Sequence, residues 1–467
     1  MSKIEVNTVE PQCGTTLTLG GSGDTVTLGS GASQSGFGRT GTVDWQTSIK
    51  TSTFTAANGE GYFVDTSSGG VTVNLPAGSV GAIVSIKDYA QTFDTSNCTV
   101  AANGSEKIEN LTQDLVLNTE GVAVTLIYAD ATRGWQAVNS NEVTNTVKFV
   151  AATGGNTVAT CGNFKIHTFT GPGTFCVSCG GNPAGSATVD YLVVAGGAAG
   201  GGGNDGAGGG GAGGYRFSNG TASGCYTAGP SPLGATALPV SAQGYPITVG
   251  AGGSPNPGSA TTKGNDGNNS VFSTITAAGG GSGGLGDISP TPRQPKANGN
   301  PGGSGGGSGT FSCGPPQPGQ GTVGSGNTPS VSPPQGNNGG TGATDNATYR
   351  VGGGGGGAGA AGTSVCNPAP TAGAAGGNGL TSCITGSPVT RGGGGGGGGH
   401  PSGGRAGGQG GSGGGGKGSR FAPPQSDPAT AGTANTGGGG GGSGYICGGT
   451  NSGAGGSGIV IIRYKFQ

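Results

Sequence analysis

Histidine, methionine, tryptophan and charged residues are all scarce in this chain, and each scarcity removes a class of function. Of 467 residues, two are His, one is Met and two are Trp; charged residues make up 8% and aromatics 5%. His167 and His400 alone supply little for a metal centre or for imidazole acid–base chemistry. From position 191 onward the only carboxylate side chains are Asp205, Asp266, Asp287, Asp345 and Asp427. No flanking carboxylate pair for glycan hydrolysis can be placed among them. Arg293, Lys296, Arg391, Arg405, Lys417 and Arg420 stand singly, without the clustering and interleaved aromatics of a nucleic-acid surface, so no nucleic-acid partner is expected. No stretch of 18 apolar residues occurs, and no apolar run follows Met1-Ser-Lys-Ile-Glu-Val6. The expectation is neither membrane insertion nor a signal peptide.

Ten cysteines are spread along the whole chain, which without an export signal reads as mostly reduced thiols rather than a disulfide framework. Cys176-Val-Ser-Cys179 has thiolate-pair spacing, but no second pair stands at zinc-site distance. Patterns such as Gly-x-Gly-x-x-Gly arise from composition alone here. Gly302-Gly-Ser304-Gly-Gly306 lacks the strand-to-helix setting of a nucleophile elbow, and Gly418 stands where a phosphate loop needs Ser or Thr. The expectation is therefore no enzyme, no metal and no cofactor.

Glycine is what the chain has in excess. Of 118 glycines, 26 fall in residues 1–190 and 92 in the 277 residues after them. The field is bracketed by two apolar strands, Tyr191-Leu-Val-Val-Ala195 and Gly458-Ile-Val-Ile-Ile-Arg-Tyr464. Runs such as Gly352 to Gly357 and Gly392 to Gly399 break any Gly-X-Y period, which excludes collagen. Fixing the backbone costs roughly 1–2 kcal/mol per residue, most for glycine, and this segment has little apolar surface to offset it. Two readings stay open: a disordered linker, or threefold polyglycine helices packed side by side, bonding one another through outward-pointing N–H and C=O groups. A terminal strand as apolar as Ile459-Val-Ile-Ile462 favours the array.

The fold class expected is all-β with essentially no α-helix. Residues 1–45, with Thr15-Thr-Leu-Thr-Leu19 and Thr25-Val-Thr-Leu28, read as an attachment or shaft segment. Residues 46–146 read as a β-sandwich module, with Val71, Val73 and Leu75 alternating with Thr72 and Asn74, and turns at Asn103-Gly104 and Arg133-Gly134. Residues 147–195 together with 459–467 read as a second β module. Residues 196–458 then form a glycine-rich polyglycine-II array inserted before the last strand.

Gly61-Tyr-Phe-Val-Asp-Thr-Ser-Ser-Gly-Gly-Val-Thr-Val-Asn-Leu-Pro76, Ser85-Ile-Lys-Asp-Tyr-Ala90 and Arg133-Gly-Trp135 resemble a β module that recurs in bacteriophage tail fibres and spikes. Lys165-Ile-His-Thr-Phe-Thr170, Asp190-Tyr-Leu-Val-Val-Ala-Gly-Gly197, Ile247-Thr-Val-Gly-Ala-Gly-Gly253 and the terminal Gly458 to Tyr464 resemble, in that order, the glycine-rich C-terminal domains of phage tail-fibre proteins. The resemblance implies a virion protein, homotrimeric, partnered with other tail or fibre proteins, that binds a host cell-surface glycan or outer-membrane protein through loops at the distal end of the array. It also reconciles the glycine-rich, acid-poor composition with the missing export signal: a virion is released by lysis. Loop aromatics and cations suit such recognition, and the residues selected are Phe311, Tyr349, Arg350, His400, Arg405 and Phe421. Two other readings share the composition: a head fibre or decoration protein without a specific receptor, and an extracellular ice-binding or matrix protein.

Overall fold

The computed structural model describes residues 43–138, 148–182, 185–203, 205–220, 234–255, 262–286, 294–311, 319–344, 350–365, 372–400, 405–422, 425–444 and 452–467. Nearly all of the expected attachment segment, and Tyr349, lie outside them. The chain forms two compact units, Met1–Asn145 and Thr146–Gln467. The all-β expectation holds: among the described residues the single helix, α1 (Gln294–Ala297), is one turn.

The first unit contains β1 (Asp44–Lys50), β2 (Phe54–Thr55), β3 (Glu60–Val64), β4 (Val71–Asn74), β5 (Ile83–Asp88), β6 (Cys98–Ala101), β7 (Leu115–Leu117), β8 (Ala123–Asp130) and β9 (Gly134–Ala137). They form two sheets, ordered β1-β3-β5-β8-β9 and β2-β4-β6-β7. Through β6 the chain changes sheet at every step, so β1, β3 and β5 pair in parallel, as do β2, β4 and β6, with no helical crossover. Only the later strands pair antiparallel. Alternation sets the faces: Val71 and Val73 are buried while Thr72 and Asn74 are half-exposed. Val64, Val84, Ile86 and Leu126 of one sheet share a core with Val73, Val100 and Leu117 of the other. Burial, helped by the charge of Asp88, pushes the Cys98 thiol up to about 12, so it behaves as a small core residue.

The second unit opens with β10 (Val150–Thr153), β11 (Thr157–Cys161), β12 (Phe164–Phe169), β13 (Gly173–Gly180) and β14 (Thr188–Val194). It continues with β15 (Tyr215–Phe217), β16 (Leu238–Pro239), β17 (Gly244–Thr248), β18 (Ser270–Phe272) and β19 (Ile275–Ala277). Four two-stranded ribbons follow: β20 (Thr310–Phe311) with β21 (Gly319–Gln320), β22 (Ala343–Thr344) with β23 (Arg350–Val351), β24 (Leu380–Ser382) with β25 (Val389–Arg391), and β26 (Arg420–Ala422) with β27 (Gln425–Asp427). The last strand, β28 (Ile459–Lys465), pairs antiparallel with β14, Val194 opposite Ile459. The ends of the glycine field are therefore neighbours in one sheet, ordered β11-β12-β28-β14-β15. A second sheet, β10-β13-β17-β18-β19, completes the base.

The β14/β28 pair is buried on both faces. Tyr191, Val193, Val460, Ile462 and Tyr464 meet Phe175, Tyr245 and Phe272 of the second sheet. Leu192, Val194, Ile459 and Ile461 face the other way, onto Tyr215, Phe217, Ala358 and Ile384. His167 is buried beside them, with Nδ1 donating to Gly154 O at 2.7 Å and Nε2 at 3.1 Å from the Tyr464 hydroxyl. A carbonyl can only accept, so Nδ1 carries the proton of the neutral ring.

Beyond this base the glycine runs form rods whose hydrogen bonds repeat every three residues. In the run 207–214, the N–H groups of Gly208, Gly211 and Gly214 donate to Gly284, Gly281 and Ala278; those of Ala207, Gly210 and Gly213 donate to Ser443, Gly440 and Gly437; those of Gly209 and Ala212 donate to Gly353 and Gly356. The N···O distances are 2.7–3.0 Å. Its carbonyls accept with the same period from three further runs: Gly201, Ala198 and Ala195; Gly307 and Ser304; Gly398 and Gly395. A strand reaches two neighbours with a period of two, whereas six neighbours with a period of three require the threefold polyproline-II helix, which has no internal bonds of its own. The expected polyglycine-II array is this hexagonally packed bundle. Residues 195–202, 206–214 and 452–458 run directly out of or into β14, β15 and β28, so the base sheet anchors it.

Close approach, not left-handed backbone, makes glycine necessary in the rods. A Cβ on Gly209 would stand 2.1 Å from Gly395 O, and one on Gly211 2.2 Å from Ser304 O. Gly209→Ala is expected to lower the stability of the second unit by about 1–3 kcal/mol. Gly171→Ala, where a Cβ meets nothing within 4 Å, serves as the neutral control. Denaturant midpoints of the two variants check the contrast, and equal midpoints would contradict it. A second expectation concerns acid. Burial, reinforced by Lys165 and opposed by the Gly154 bond, holds the His167 pKa below its ordinary 6.5. The neutral ring's contribution is thus fully present above about pH 6.5 and lost as pH falls through the lower folded-state value. Unfolding temperatures measured from pH 7.5 to 4.5 should show a loss that His167→Gln reduces.

Candidate functional site

The rods have a base end, at the sheets, and a far end where the chain repeatedly turns back. Asp205 N–H bonds Gly286 O and Gly286 N–H bonds Gly202 O; Thr310 donates to Gly206 O through both its N–H and its hydroxyl; Ser443 Oγ donates to Gly203 O. The described residues on either side of 287–293, 312–318, 345–349, 401–404 and 445–451 therefore gather at one end of the array. Those beside 256–261, 366–371 and 423–424 lie toward the same end, since Asn265 bonds Ala199, Val365 bonds Thr341, and Gly399 bonds Ser419.

One carboxylate organises this end. Asp205 is fully buried where the central rod begins, and Nη1 of Arg350 lies 2.9 and 2.8 Å from its two oxygens. His400 Nε2 stands 3.8 Å from Oδ1. Asp205 follows position 204, Arg350 follows 345–349, and His400 precedes 401–404, so the Asp205–Arg350 ion pair, with the His400 ring beside it, brings one flank of each of three segments together. Removal from water makes an uncompensated charge costly, so each partner holds the others in place.

The residues selected from sequence fall here unevenly. Arg350 and His400 meet at Asp205, but both are largely covered, His400 being 8% exposed. Arg405 is half-buried, and its N–H donates to His400 O at 3.1 Å. Phe311, read from sequence as a loop residue, sits in β20 opposite Gly319 and is buried against that glycine, whose Cβ would lie 2.0 Å from the ring. Phe421 belongs to β26, opposite Ser426. Lys417 and Asp427 form an exposed pair at 3.3 Å. Sequence reasoning passed over Asp205 itself; the available signal was an acidic residue inside a glycine run in a half of the chain that has almost none. Among the described residues no group of three or more His, Cys, Asp and Glu is placed to hold a metal, and no helix is long and apolar enough to cross a membrane.

Asp205→Asn should destabilise the far end by about 3 kcal/mol, because Arg350 keeps its charge in a covered site without a carboxylate. Lys417→Ala, which breaks only the exposed pair, should change stability by less than about 1 kcal/mol. Unfolding midpoints and limited proteolysis distinguish the two, and equal effects would remove Asp205 from its organising role.

The chain's sequence also allows comparison with known proteins. No curated protein matches it. The pattern of a family described as a glycine-rich domain matches residues 170–465, from the end of β12 through β28. That span contains most of the base sheets and all the rods, and by it the chain belongs to the glycine-rich domain family.

Proposed function

We propose that this protein is a bacteriophage tail fibre, a virion structural protein whose glycine-rich unit is the receptor-binding adhesin. The observation that carries the reading is the gathering of chain reversals at the far end of a rigid array, opposite a base sheet that holds both of its ends. Such a scaffold presents many short segments side by side while leaving its own hydrogen bonding independent of what those segments contain. Recognition sites of this kind bind without chemistry, through aromatic and cationic side chains on a preorganised frame. In this reading the residues before β1 attach to other tail or fibre proteins, three copies assemble, and the far end contacts a host surface glycan or an outer-membrane protein. The phage-like motifs of the first unit and of 165–253 support the virion assignment.

Particles from the source culture, labelled with gold-conjugated antibodies against residues 191–458, are expected to carry label at the distal tips of fibres. Label over heads would replace the adhesin by a decoration protein, and label on cells alone would end the virion reading. On the particle, replacing 345–349 and 401–404 with Gly-Ser segments of equal length should reduce adsorption to host cells at least tenfold at an unchanged unfolding temperature. Undiminished adsorption would move recognition elsewhere.

A further inference from the structure

Away from the far-end cluster, three polar side chains meet in an arrangement that hydrogen bonding alone does not require. Lys263 is half-buried between rods; its Nζ donates to the main-chain carbonyl of Asn298 and, at 2.8 Å, to Oδ1 of Asn300. The opposite side of the same carboxamide is also held, Asn300 Nδ2 lying 3.0 and 3.2 Å from the two oxygens of Asp266. Asp266 is fixed in turn by the Ser282 N–H, 2.7 Å from Oδ1. An amine thus sits at the carbonyl oxygen of an amide, and a carboxylate sits at that amide's amino group.

We propose that Lys263 and Asn300 condense into an intramolecular isopeptide bond, with Asp266 as the proton relay. The neutral Nζ attacks Cγ of Asn300. The attacking nitrogen gives up one proton to the Asp266 carboxylate, which delivers it to Nδ2. The Cγ–Nδ2 bond breaks, ammonia leaves, and Nζ and Cγ remain joined as an amide. Asp266 ends in the charge state in which it began, and no oxidant, reductant or further reactant takes part.

Three features of the site favour this step. The reacting groups are held on two neighbouring segments 37 positions apart, so the reaction is effectively unimolecular. Burial is the main influence on Lys263 and lowers its pKa, raising the share of neutral amine, while Asp266 works in the opposite direction. Position 301 is proline, which has no N–H, so the usual loss of ammonia from asparagine by attack of the following backbone nitrogen is closed at Asn300. The resulting bond ties the rod at 262–268 to the segment that leads into 302–309, holding two outer parts of the array together by a covalent strut.

The test is the mass of the intact, denatured chain together with a peptide map. The wild-type protein is expected to be lighter than its sequence by one ammonia, with the Lys263 and Asn300 peptides recovered as one branched species. Lys263→Arg and Asn300→Ala should each restore the full mass. Asp266→Ala, which keeps both reacting groups, should slow or abolish the loss. A wild-type chain at full mass overturns the proposal without need of any variant. So does an ammonia loss that persists in Lys263→Arg, since it would then arise at another asparagine, such as Asn298 before Gly299.

Discussion

A threefold helix makes no hydrogen bonds of its own, so the backbone bond between separate rods is the interaction on which the glycine-rich unit rests. Each buried N–H and C=O left unpaired would cost as much as a lost hydrogen bond. The run 207–214 meets that demand by drawing donors and acceptors from six other runs. Those runs can come close enough only because their glycines carry no Cβ, as the 2.1 Å separation at Gly209 makes plain. Composition, packing and hydrogen bonding are therefore one constraint here, and apolar burial is left to the base.

That division explains the two kinds of apolar segment. In the first unit, strands such as β4 alternate over a single core; in the second, β14 and β28 separate two cores and place apolar residues on both faces, with Asp190 and Arg463 buried among them. The base sheet must be this well anchored, since three rods continue its strands and an array without a side-chain core has little else to fix its direction. Charge is excluded from the rods for the same reason as bulk: an ionised group between close-packed backbones has no water and little space. Asp205 is fully buried all the same, and it sits where the central rod begins and Arg350 can reach it.

The sequence revealed the parts that depend on side chains. Tyr191 to Val194 and Ile459 to Ile462 were legible because burial on both faces leaves continuous apolar runs, and Val71 to Leu75 because one-sided burial leaves alternation. The parallel pairing of β1, β3 and β5 was not legible: alternation fixes which face a residue occupies, not which neighbour it pairs with. Within the glycine field the order of neighbours was invisible, because a run such as Gly392 to Gly399 carries no feature that distinguishes one partner from another. The Asp205–Arg350 pair spans 145 positions, and only the packed array brings the two together. Phe311 resembled a loop aromatic because its surroundings are polar and glycine-rich, yet Gly319 provides the space that buries its ring.

A scaffold whose stability resides in glycine backbone has a consequence for how its far end can vary. In an ordinary domain, loops lean on core side chains, and exchanging them disturbs packing underneath. Here the described flanks of the reversals enter and leave rods whose partners are other rods, and side chains couple neighbouring flanks only at particular points. The Asp205 cluster is the main one, joining the flanks of three segments, with the Thr310 hydroxyl on Gly206 a lesser link. Substitutions between these fixed points change what the end presents without changing what holds it up. Substitutions at Asp205 or Arg350 change the frame itself, so the two outermost properties of the array, its shape and its surface chemistry, are set by different residues.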